Sequence, residues 1–104
     1  MEYKDFLGQE IKVGSFIVYP GRYSSSLYVQ LGIVRALDTK ATYFEGNKPV
    51  LKVQSVNRYD MRGNATLNAG GTLTELQRVT VVPRASVPEC LAKLLEGPSM
   101  RVIA

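Results

Sequence analysis

The sequence contains no histidine and no tryptophan, and Cys90 is its one cysteine. Each absence removes a class of chemistry. Without histidine, neither a Ser-His-Asp nor a Cys-His arrangement can be assembled. A lone cysteine cannot complete a zinc site. Asp5, Asp38 and Asp60 are isolated in sequence, whereas Mg²⁺ and Ca²⁺ sites need clustered oxygens. The expectation is a protein with no cofactor and no metal. An intramolecular disulfide is impossible, which suits a reducing compartment. No segment approaches the roughly 20 apolar residues that span a bilayer. The opening stretch M-E-Y-K-D-F-L-G has no apolar run of the signal-peptide kind. A cytoplasmic protein without a membrane partner is therefore expected.

Phosphate cradles are missing as well. Gly63-Asn64 and Gly70-Gly71 lack both a Walker lysine and a dinucleotide fingerprint, so they read as turns. The serines at 24–26 have no lysine at the spacing that would activate them, and a flexible turn is the simpler reading. Taken together, these gaps predict that the protein is not an enzyme.

What remains is the composition of a small globular domain. A chain of 104 residues fits one domain, residues 1–104, with one modest core. Tyrosine is the favoured aromatic, at positions 3, 19, 23, 28, 43 and 59. Its ring packs while its hydroxyl stays hydrated, which suits half-buried strands and wet interfaces. The formal charge of +4 is spread along the chain without a basic arm or tail. It permits a polyanionic partner, and solubility alone explains it equally well.

Taken in order, residues 1–14 are punctuated by Gly8 and Gly14, which favours a turn and a short strand over a helix. Val13-Gly14-Ser15 reads as a tight turn. Ser15–Tyr19 is dense in β-branched and aromatic residues and is predicted as a strand ended by Pro20-Gly21. Leu27–Leu37 is the second strand, with Leu27, Val29, Leu31 and Ile33 as its core face and Gly32 as a bulge or a close backbone approach. Asp38–Lys48 is polar, with Tyr43-Phe44 as a possible short strand. Pro49–Tyr59 is the third strand, with Pro49 at its first position. After a long loop come short strands at Thr72–Leu76 and Arg78–Val82. The period then changes. Ser86-Val87-Pro88-Glu89 has the form of a capping box, and Val87, Cys90, Leu91, Leu94 and Leu95 follow at helical spacing. This predicts a helix over about 86–96, with Cys90 packed as a small buried hydrophobe. Met100–Ile103 is a candidate for a last strand.

The fold class expected is mainly β (α+β), with about five or six short strands and one C-terminal helix. The stretch I-K-V-G-S-F-I-V-Y-P, followed by L-G-I-V-R-A-L, resembles SH3-like barrels of the KOW or Tudor type, with Ser15 where an aspartate is common in that pattern. The block Y-P-G-R-Y-S-S-S-L-Y, with R-V-T-V-V-P much later, resembles small uncharacterised bacteriophage-encoded proteins. The resemblance covers about residues 8–83. It implies a small β-barrel, a viral protein working in the host cytoplasm, and a host or viral protein as partner.

Two clusters are candidates for binding. In the first, Arg22 stands between Tyr19 and Tyr23, with Ser25 among the serines and Tyr28 beyond them. Arginine holds a phosphate or carboxylate bidentately, tyrosines stack on bases, and hydroxyls contact phosphate oxygens. The second comprises Lys52, Arg58, Tyr59 and Arg62, opposed only by Asp60. The SH3-like resemblance implies that two such loops flank one open groove. Each cluster also has a plainer reading, in which tyrosines pack on strand faces and cations are solvated. Two partner classes stay open: a protein, taken through an aromatic groove or a strand edge, and a nucleic acid. The helix stripe of Val87, Leu91, Leu94 and Leu95 either covers one end of the barrel or forms a homodimer interface.

Overall fold

Two long antiparallel hairpins share a single central strand. In a computed structural model, which describes residues 2–23, 26–44, 46–56, 67–68 and 70–97, β1 (Phe16–Tyr23), β2 (Ser26–Thr42) and β3 (Gly46–Ser55) form a meander. A three-residue β4 (Gly71–Leu73) and β5 (Thr80–Val82) complete the sheet in the order β4-β3-β2-β1-β5. Single 3₁₀ turns lie at Leu76–Arg78 and Arg84–Ser86, and helix α1 spans Glu89–Glu96. The protein is mainly β, a five-stranded antiparallel sheet with one C-terminal helix. Among the described residues, no helix is long and apolar enough to cross a membrane.

Strands β1 and β2 run further than the sequence suggested, and β3 starts earlier, whereas β4 and β5 are shorter than the expected Thr72–Leu76 and Arg78–Val82. Pro20-Gly21 does not end β1: Pro20 pairs with Val29, and the ladder continues to Tyr23↔Ser26. The reason lies on the other side of β1. Strand β5 pairs with it only over Phe16–Val18, so Pro20 falls on an unpaired edge stretch, where a missing amide is tolerated. Pro49 is likewise the fourth residue of β3, not the first, and lies outside the Leu51–Val53 stretch that β4 covers. Polar residues 38–42, expected as loop, extend β2 as the arm of its hairpin with β3. Tyr43 and Phe44 form no strand. They sit in the turn between β2 and β3, their rings edge to face at 4.8 Å. Residues 100–103 lie outside the described ones.

Both faces of the sheet are covered, because alternating side chains point to opposite faces. On one face Ile17, Tyr19, Val34, Leu51 and Val53 pack with Ile11, Leu76 and Val79. On the other, Phe16 and Ile33 pack with Leu67 and with Val87, Leu91, Ala92 and Leu95 of the helix segment. The expected core face of β2 is therefore only half right. Leu31 and Ile33 meet the helix, while Leu27 and Val29, at 78% and 72% exposed, lie on the β1–β2 arm beyond its reach.

Two glycines shape this layout. Gly14, at φ 91°, makes the tight turn into β1, closed by the Ser15 amide donating to the Lys12 carbonyl at 3.0 Å. Gly32 is a close approach: a Cβ there would stand 2.9 Å from the Gln54 carbonyl oxygen and 3.3 Å from the Tyr19 ring. The bulge itself is displaced to Val34/Ala36, with Arg35 as the extra residue. Freed from the ladder, Arg35 donates to Gln54 Oε1 at 2.8 Å and to the Gly97 carbonyl at 3.3 Å, tying the sheet to the C-terminal end of α1. A cation there also complements the helix dipole.

The helix begins later than expected, and the capping box does not form. Pro88 holds Val87 extended (φ −97°, ψ 131°), which separates Ser86 from the helix. Pro88 itself is the N-cap, with no side-chain cap. Glu89 turns instead to Arg84, which also holds Glu96 at 2.8 Å. The buried face of the helix is centred on Leu91, Ala92 and Leu95. Cys90 is exposed, correcting the expectation that it packs on the apolar stripe.

Candidate functional site

The two edges of the sheet receive different treatment, and this locates the site. At the β5 edge, Asp5 is buried and accepts four hydrogen bonds. These come from the amides of Leu7 (2.9 Å), Gln9 (2.7 Å) and Val81 (2.7 Å) and from Gln9 Nε2 (2.9 Å). Burial alone would push this carboxyl up, but the donors from Val81, Gln9 and Leu7 outweigh it and hold the group below its ordinary value of 3.8. The Phe6 amide donates to the Val79 carbonyl at 2.9 Å, and Gln9 Nε2 reaches the Val81 carbonyl at 3.2 Å. The N-terminal segment thus occupies the outer polar groups of β5.

At the β4 edge there is no such cover among the described residues. Strand β4 pairs with β3 through Leu51↔Leu73, Lys52↔Thr72 and Val53↔Gly71, and no described strand pairs on its outer side. Gly70, Gly71 and Thr72 are exposed. Beside this edge lies an open groove of about 260 Å³, with Tyr19 and Gln30 at one wall, Val53 and Ser55 in the middle, and Asn68 and Gly71–Leu73 at the other wall. None of these side chains carries a charge. Asn68 is fixed by its amide to the Ser55 carbonyl (2.8 Å) and by Nδ2 to Ser55 Oγ (2.9 Å), while Gln54 Nε2 donates to its carbonyl at 3.2 Å. The groove wall is therefore held by hydrogen bonds rather than by bulk.

Of the candidate residues, Tyr19 and Lys52 are described in full. Tyr19 is 7% exposed: it belongs to the core cluster and also forms a groove wall. Lys52 is exposed, and its Nζ donates to Thr72 Oγ1 at 2.9 Å across β3 and β4. The ladder puts Lys52 one position from Val53, hence on the opposite face of the sheet from Tyr19. For Arg22, Tyr23 and Tyr28 the described feature is the backbone, in the arm where Arg22↔Leu27 and Gly21↔Tyr28 are paired two and three positions beyond Tyr19↔Gln30. Ser25, Arg58, Tyr59 and Arg62 lie outside the described residues.

Sequence reasoning missed Gln30, Ser55, Asn68 and Thr72. Gln30 faces Tyr19 because the β1–β2 ladder runs on through Pro20 to Tyr23↔Ser26, where the sequence predicts a stop. The other three depend on β4 returning to β3, which no local pattern encodes. The exposed Tyr43-Phe44 pair, at 93% and 91%, lies at the tip of the other hairpin, next to the paired Lys40 and Lys48. Comparison with protein-family models, with curated proteins and with solved structures found no match to this chain.

Proposed function

We propose that the protein is a non-enzymatic binding module that takes an extended segment of a protein partner along β4, beside the groove walled by Tyr19. The observation that carries this reading is the open outer edge of β4 among the described residues, set against the occupied edge of β5. A free edge offers unpaired amides and carbonyls to an added strand, and the adjoining groove receives its alternate side chains. The SH3-like reading is supported by the strand order, in which a meander returns its last strand to its first, and by the 3₁₀ turn directly before β5. The phage-type reading rests on the resemblance of the Y-P-G-R-Y-S-S-S-L-Y block, and with it goes a host or viral partner in the host cytoplasm.

A protein partner is favoured over nucleic acid by how the described cations are used. Lys4, Lys12, Lys48 and Arg84 each face a carboxylate, which lowers the field available to a polyanion. The test is selection from a library of random linear peptides against the protein and against Gly71→Trp. A Cβ at Gly71 meets nothing within 4 Å, so a side chain can start there without a clash, and Gly71 lines the groove. Peptides should bind the native protein and lose at least about tenfold in affinity for the variant, or about 1.4 kcal/mol. Undiminished binding by Gly71→Trp overturns the reading. Retention on single-stranded DNA or RNA at low salt, with a steep salt slope, would favour the nucleic-acid alternative instead.

A further inference from the structure

We infer that the strand added at β4 is acidic on one face and uncharged on the other, with Lys52 reading the acidic face. This deepens the reading just given and rests on it. An extended segment laid beside β4 presents successive side chains to opposite faces of the sheet. On the Tyr19 face the β4 residues beside it are Gly71 and Leu73, with Val53 and Ser55 of the groove beyond them, none of them charged. A charged side chain entering there would lose hydration without gaining a counter-charge. Small or uncharged polar side chains such as threonine fit its hydroxyls and amides.

The other face differs. Lys52 pairs with Thr72, the central residue of β4, and its ammonium reaches across to the Thr72 hydroxyl at 2.9 Å. It thereby leans towards the open edge. Its neighbour on the same face of β3, Lys48, is held by Glu75 at 3.1 Å. Lys52 has no carboxylate partner among the described residues, and a hydroxyl leaves its charge uncompensated. A glutamate or aspartate on the added strand, one position out from Thr72, supplies the missing charge. Lys52 is one strand removed from the added segment, so the attraction acts through the ammonium held beside the Thr72 hydroxyl, where an acid is favoured and a second cation is not.

The experiment uses two labelled linear peptides, one alternating threonine with glutamate and one alternating threonine with lysine. Fluorescence anisotropy at low salt measures each against the native protein, Lys52→Glu and Gly71→Trp. Lys52 is an exposed side chain with one hydrogen bond to a neighbour, so Lys52→Glu keeps the fold. The acidic peptide should bind the native protein about fivefold more tightly than the basic one, as one partly exposed charge pair provides. Lys52→Glu should reverse that order, and Gly71→Trp should weaken both. Equal affinity for the two peptides, or a preference that Lys52→Glu leaves unchanged, overturns the acidic specificity. If Gly71→Trp still blocks binding in that case, the edge reading survives alone. If the peptides bind and Gly71→Trp has no effect, the edge reading fails too.

Discussion

The β5 edge and the β4 edge are built from similar strands of three residues each, yet one is covered and the other, among the described residues, is not. At β5, one buried carboxylate gathers four donors and the N-terminal segment fills the remaining groups. At β4, exposed glycine backbone adjoins an uncharged groove and a lysine that meets no acid among the described residues. Exposed edges are a liability that folded proteins suppress. On the proposed function, such a chain separates stability at one edge from recognition at the other. Changes at β5 should cost folding. Changes at β4 should cost binding.

The largest test of that division is Asp5→Ala. It strands the amides of Leu7, Gln9 and Val81 and releases the N-terminal segment. It should lower stability by roughly 2–4 kcal/mol, the scale set by several buried donors losing an ionised acceptor. Urea unfolding with an unchanged m-value reads this directly. A loss below about 0.5 kcal/mol, the range of a plain surface substitution, would mean that the β5 edge is not the stabilised one.

Next in size is Gly32→Ala. The added methyl meets the Gln54 carbonyl at 2.9 Å and the Tyr19 ring at 3.3 Å, so β3 or the ring must move. A cost of about 1–3 kcal/mol follows from overpacking. Because Tyr19 also walls the groove, peptide affinity should fall along with stability, which makes this the one substitution that couples the two regions.

The pH dependence sharpens the comparison further. Asp5 has a carboxyl pKa lowered on folding. Such a group stabilises the fold above its unfolded pKa, and that contribution is lost as pH falls through the folded value. Melting temperature should therefore drop below about pH 4, the ordinary carboxylate range. In Asp5→Asn that acid slope should be shallower. Glu89 and Glu96 are lowered too, first by hydrogen bonds from Arg84 and then by its charge, but they are exposed. Arg84→Ala should accordingly change the slope less than Asp5→Asn does.

The smallest stability effect belongs to Gly71→Trp and Lys52→Glu at the open edge. Each should stay within about 0.5 kcal/mol of the native protein, as surface substitutions usually do, while altering peptide binding several-fold. Thermal unfolding and anisotropy measured on the same samples decide it.

How far the sequence carried the candidate site can be traced residue by residue. Alternation in residues 16–19 and 27–34 assigned faces to the two strands, but it did not set the register that pairs Tyr19 with Gln30. It was not enough to find where β1 ends. Pro20-Gly21 signals a stop by local rules, and the ladder continues because no described strand pairs with β1 beside Pro20. The capping box at Ser86–Glu89 failed for a related reason: Pro88 fixes its predecessor as extended, and Arg84 outcompetes Ser86 for Glu89. Cys90 then fell on the exposed side of a helix that starts later than its apolar spacing implied.

By itself, the sequence determined the inventory: which side chains exist, that strands dominate and that one helix follows them. These depend on composition and on periods of two and 3.6 residues, which neighbouring residues set between themselves. The tertiary structure decided which edge is closed, that Asp5 is the residue closing it, and that Gly32 must be bare. Each of these joins segments far apart in the chain, Asp5 to Val81 and Gly32 to Gln54, and such distances leave no local pattern. The open edge of β4 is the clearest case, since a strand of three residues acquires its role only from what pairs with it and what does not.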